Sequence, residues 1–167
     1  MLVDYTGNYF VGRIVCIILI AASSACGKPA VDELTFTRPY ANFIGAEYRL
    51  VAQVIAHGIY ENLDHRVAPS YIVLTAGVGF TGPEVAFRRP IAKGQTIKIL
   101  SAWRAHSLLY SHDYYVVAFP DTDLPRDVHV RIGITGNVGV DAGLDPGIYE
   151  RLARVKEVEK MDKMGTN

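Results

Sequence analysis

The residue types able to do chemistry are few, and their spacing is loose. The tightest pattern is Gly77-Val78-Gly79-Phe80-Thr81-Gly82, a literal G-x-G-x-x-G that directly follows an apolar run at 71–75. In a dinucleotide fold such glycines cradle a pyrophosphate at a helix N-terminus. Here Pro90 closes the following segment after one or two turns, and no acidic residue stands about 20 positions on. The pattern predicts a glycine-rich loop between strands, where glycine permits positive φ. Gly77, Gly79, Phe80, Gly82 and Glu84 make it a candidate contact loop. The five histidines, His57, His65, His106, His112 and His129, form no His-x-His or His-x-x-x-His pair. A structural metal site wants four convergent ligands, so neither a metal nor a cofactor is expected. Ser101, Ser107 and Ser111 neighbour His106 and His112 in sequence, as a nucleophile neighbours its base. A Gly-x-Ser-x-Gly elbow is absent, and no residue is assigned as catalytic. Asp121, Asp123 and Asp127 read as solvated loop charge interrupted by Leu124-Pro125, not as an EF-hand. Trp103, Tyr110, Tyr114 and Tyr115 cluster across a predicted hairpin. They form a candidate aromatic face that stacks on a sugar or peptide, with cross-strand packing inside the domain as the competing reading.

One cysteine carries more. Arg13 is followed by nine apolar residues, 14–22, and then by Ser23-Ser24-Ala25-Cys26-Gly27. Nine residues suit the core of an export signal and are too short to span about 30 Å of hydrocarbon. Small residues at Ser23 and Ala25 fit a peptidase cleft. The stretch resembles the lipobox of bacterial lipoproteins, although Ser23 stands where that family usually has leucine. The resemblance covers only residues 1–27. It implies cleavage between Ala25 and Cys26 and a diacylglycerol on the Cys26 sulfur. After such a cut Cys26 is the only cysteine left, so no intramolecular disulfide can form. An ordinary cleaved signal and an uncleaved anchor helix remain as alternatives.

The rest of the chain must position whatever else acts. Half of the residues are apolar, a fifth are charged, and the formal net charge is zero. That composition is globular, and it offers no overall field for nucleic acid. Alternating or β-rich segments bounded by turn residues fall at 31–37, 47–57, 71–75, 84–88, 95–104, 114–119 and 128–134. In the fifth, Ile97, Ile99 and Trp103 share one face. Pro90 is expected to stop the fourth. Asp145 as cap and Pro146 as first helical residue predict a helix over 146–162 with a stripe of Ile148, Leu152 and Val155.

The expected fold is mainly β: a β-sandwich or small β-barrel of about seven strands, with a C-terminal α-helix and an N-terminal signal helix. The expected organisation is a signal peptide at 1–25, a lipidated cysteine and tether at 26–30, a β domain at 31–144, and a C-terminal helix and tail at 145–167. The functional reading is an envelope lipoprotein on the outer membrane or the periplasmic side of the inner membrane. Its partners would be the membrane, through lipid, and an envelope protein or glycan, with a non-catalytic binding or structural role. Two alternatives stay open: an envelope enzyme or metal-dependent protein built on the scattered His and Asp residues, and an intracellular β domain with no true signal.

Overall fold

The computed structural model describes residues 30–77, 79, 81–107, 110–119 and 123–153. Cys26, the apolar segment before it, Phe80, Asp121 and the part of the expected helix beyond 153 lie outside the described residues. The chain divides into two units, 1–30 and 31–167, and the description concerns the second.

Among the described residues nine strands form one mixed sheet. They are β1 Val31–Glu33, β2 Glu47–Leu50, β3 Val54–Ile59, β4 Tyr71–Ala76, β5 Val85–Ile91, β6 Thr96–His106, β7 Ser111–Ala118, β8 His129–Gly133 and β9 Tyr149–Arg151. The order is β5-β3-β4-β8-β7-β6-β2-β9, with β1 paired to the far half of β6. The β4–β8 pair is parallel and the other pairs are antiparallel. No described pairing joins β5 to β9, so the sheet is open and no closed barrel forms.

The expected long strand at 47–57 is two strands. Residues 51–53 leave the ladder, and the halves join opposite ends of the sheet: β2 pairs with β6 and β9, β3 with β4 and β5. That break dictates how the sheet bends. β2 and β3 stand five places apart in the order, about 24 Å if the sheet were flat. From Leu50 to Val54 the chain reaches at most about 14 Å. The sheet therefore curls until its ends approach. One buried cluster inside the curl gathers Tyr48 and Leu50 from one end, Val54, Ala56 and Ile91 from the other, and Ile72, Ile99, Tyr115 and Ile132 from between.

Two further expectations are corrected. Pro90 does not end the fourth strand, since β5 runs through it to Ile91 opposite Val54. β5 is an edge strand, and there a missing amide costs no ladder bond when it faces away from the neighbour. The helix expected from Pro146 is absent as far as residue 153. Asp145 does cap one turn: its Oδ1 accepts from Gly147 N–H at 2.8 Å, and its carbonyl accepts from Ile148 and Tyr149. The chain then extends, because Tyr149 is buried and pairs with Leu50 on β2. Sheet pairing and ring burial outweigh the cap, and Gly147 costs a helix about 1 kcal/mol.

Candidate functional site

Strand parity assigns each side chain of β6 and β7 to one of two faces. On β7, Tyr115 and Val117 enter the main core, while Tyr114 and Val116 join a small cluster with Ala105 and Trp103 on the other face. Trp103 would share the face of Ile97 and Ile99 if β6 were regular. A β-bulge intervenes: Ile99 pairs with Val117 and Ser101 with Val116, leaving Leu100 as the extra residue. A bulge inserts one residue and reverses the parity beyond it. Trp103 is thereby moved opposite Tyr114 on the outer face, and Arg104 and His106 are turned to the inner side.

The outer face carries a continuous row of rings. Tyr110, just before β7, and His112 and Tyr114 on it follow one another along one side, with centroids 5.9 Å and 6.0 Å apart. Trp103 lies across from Tyr114, its indole N–H donating to Ser101 Oγ at 2.8 Å. On the other flank the Arg131 guanidinium of β8 sits 4.8 Å from the Tyr114 ring and 3.9 Å from the Tyr71 ring of β4. A cation flanked by two ring faces holds both in place. Tyr110, 65% exposed, and His112 are open at the hairpin end of the row, Trp103 is half-buried, and Tyr114 is itself buried at 6%. Tyr115, grouped with these aromatics by sequence, lies fully buried on the opposite side, where burial raises its phenol well above the ordinary value.

The glycine loop joins β4 to β5, and a strand follows it. Gly77 and Gly79 take positive φ, +73° and +68°. A Cβ on Gly77 would meet nothing, whereas one on Gly79 would lie 2.1 Å from His57 Nε2. His57 is fully buried below, with Nε2 3.0 Å from Thr75 Oγ1, and burial lowers its imidazole pKa, with Arg88 adding to the effect. A Cβ on Gly82 would strike the Glu84 carboxylate. The loop is thus laid closely over a histidine and its own acid.

On the inner side the polar residues of β1, β6 and β7 meet. Arg104 donates from Nε and Nη2 to the two oxygens of Asp113, at 2.7 Å and 2.9 Å, and the Tyr40 hydroxyl donates to Asp113 Oδ2. These hydrogen bonds hold the Asp113 carboxyl below its ordinary range, the Arg104 bond most strongly. Burial and the adjacent carboxylate raise the Tyr40 phenol. Two residue pairs further toward the hairpin, His106 Nδ1 is 2.9 Å from Ser111 Oγ and His106 Nε2 is 2.8 Å from Asp32 Oδ2. A cleft of about 500 Å³ opens over Tyr40, Arg104, Asp113, His106 and Ser111, bordered by residues 112, 134, 136 and 138.

Sequence proximity suggested Ser111 beside His106. It gave no hint of Asp32, 74 residues away, since only the β1–β6 pairing brings it there. Tyr71 and Arg131 were likewise not singled out. The alternation of β8 predicts which way Arg131 points, but not which rings it meets. His129 and His65 lie exposed and apart. Among the described residues no three His, Cys, Asp or Glu side chains converge to hold a metal ion. No family model, curated protein or solved structure matches the chain.

Proposed function

We propose that the protein is an envelope lipoprotein, held to a membrane through Cys26, whose β domain binds a glycan on its outer sheet face. The exposed Tyr110 and His112 and the half-buried Trp103, packed around the buried Tyr114 and bordered by Arg131 and Tyr71, are the observation that carries the reading. Sugar rings present apolar C–H faces that pack on aromatic planes, and their hydroxyls bond to phenol, imidazole and guanidinium groups. A peptide would draw its affinity from backbone pairing to a free strand edge, and this row runs across the middle of the sheet. The lipobox-like stretch supports the anchor, and the short polar tether at 27–30 would keep the domain close to the surface that carries the glycan. We read the curled sheet as sandwich-like, its two layers meeting at the main buried cluster.

Two measurements test this. Mass spectrometry of the expressed protein is expected to find a diacylglycerol-modified Cys26 at the N-terminus, and Cys26→Ser is expected to release the protein from membranes. An intact Met1 would remove the anchor from the account. Calorimetric titration with soluble peptidoglycan fragments is expected to show saturable binding. Arg131→Ala is expected to weaken it about 10-fold or more, the ~1.5 kcal/mol or more of a hydrogen bond from a charged guanidinium to a sugar hydroxyl. No heat at millimolar fragment would count against the glycan reading.

A further inference from the structure

Ser111, His106 and Asp32 form a hydrogen-bonded chain in the order nucleophile, base, carboxylate. When His106 Nε2–H donates to Asp32, Nδ1 carries the lone pair and accepts from the Ser111 hydroxyl, so both contacts, 2.9 Å and 2.8 Å, are satisfied by one tautomer. The order of groups is that of an activated serine, with the two ring nitrogens exchanged relative to the serine-protease triad and Asp32 63% exposed. It is built on strands. His106 and Ser111 are a cross-strand pair closing the β6–β7 hairpin, and Asp32 reaches His106 diagonally from β1. The neighbouring Tyr40–Asp113–Arg104 cluster fixes the floor beside it.

We propose that Ser111 is a nucleophile for short-chain carboxylic esters, with His106 as its general base and Asp32 as the positioning residue. The cleft at Ser111 and His106 has room for a small acyl group against Ile134 and Val138. Arg104 commits two of its five N–H donors to Asp113, and the others supply charge for an oxyanion in the same cleft. Ser111 Oγ bonds to the ester carbonyl carbon as its proton passes to His106 Nδ1. The carbon–oxygen bond to the alcohol breaks, and the alcohol leaves with that proton. Water then adds to the acyl carbon and gives a proton to Nδ1, which returns it to Ser111 Oγ as the carboxylic acid departs. Nothing is oxidised or reduced. The triad and the outer aromatic row share the β6–β7 hairpin on its two faces, so we take an O-acylated sugar as the matching substrate. That last step rests on the glycan reading; the ester chemistry does not.

The test uses the full chain with p-nitrophenyl acetate and a fluorophosphonate probe. The expected result is hydrolysis of the ester and one probe adduct, mapped by peptide mass to Ser111. Ser111→Ala is expected to abolish the adduct and cut turnover at least about 100-fold, with a thermal midpoint close to the parent's. Asp32→Asn is expected to lower turnover and shift its pH profile, a change that a merely structural residue would not produce. Absence of any adduct on the parent protein, an adduct elsewhere, or full turnover in folded Ser111→Ala would each overturn the proposal. Turnover of the simple ester without glycan binding would leave the nucleophile standing and remove only the sugar.

Discussion

At the scale of residues, Gly77 and Gly79 separate two reasons for glycine. Both have positive φ, but only Gly79 lies against a side chain, the buried ring of His57. Gly77→Ala is expected to cost about 1 kcal/mol from backbone strain alone. Gly79→Ala is expected to cost more, about 2–3 kcal/mol, since the loop must also lift from the imidazole. Urea denaturation of the two variants checks the order. His57 itself links stability to pH. Burial lowers its pKa in the folded chain, so the unfolded chain takes up its proton at a higher pH. Stability therefore rises with pH between the two values, and it is lost as pH falls below the ordinary 6.5 toward the folded value. The slope contributed by one proton approaches about 1.4 kcal/mol per pH unit. Denaturation midpoints measured between about pH 5 and 7.5 are expected to show it, and His57→Gln is expected to flatten it. The Asp113 carboxylate adds a second loss only at more acid pH, below 3.8, because its pKa is lowered as well. A third residue points the other way. The Tyr115 hydroxyl is buried with no hydrogen-bond partner among the described residues. Tyr115→Phe keeps the ring and removes the stranded group, so it is expected to raise stability by about 1 kcal/mol.

Among the elements, β6 decides what each face can do. Its alternation was legible: Ile97 and Ile99 are buried as their spacing predicts. The bulge at Leu100 was not, because an extra residue leaves no trace in composition and reveals itself only as a register slip against β7. Everything beyond it changes face, and that change puts Trp103 in the aromatic row and His106 in the cleft. Deleting Leu100 is expected to remove the bulge and leave the pairing beyond it unchanged, with Trp103 still opposite Tyr114 on the outer face. The variant is expected to keep glycan binding, ester turnover and β-type circular dichroism, and loss of both functions in a folded variant would contradict this assignment of the faces. The segments at 71–75, 114–119 and 128–134 were legible because buried β-branched and aromatic residues suit a pleated surface. The failures share one cause, which is that partners outrank local signals. Pro90 is tolerated because β5 has no neighbour on one side. The capping signal at Asp145 yields because Tyr149 pairs with β2. On β3, Gly58 leaves room for a cross-strand ring: a Cβ there would lie 2.4 Å from Phe87 Cε1.

For the whole molecule, the break at 51–53 matters most. It sends β2 and β3 to opposite ends of one sheet and compels the curl that encloses the core. Strand content was legible from the sequence, but which strand sits beside which depends on contacts far apart in the chain. Asp32, His106 and Ser111 show this at the inner cleft, and Tyr71, Tyr114 and Arg131 show it on the outer face. The glycan-binding face is the claim on which the functional account turns, and the protein carries its own reporter there. Trp103 is the single tryptophan in the sequence, half-buried beside Tyr114. Its fluorescence during titration with soluble peptidoglycan fragments is the most direct measurement. The account predicts a saturable change in intensity and emission wavelength, lost in Arg131→Ala. Emission that stays unchanged to saturating fragment, while binding is detected by calorimetry, would place the glycan elsewhere and contradict it.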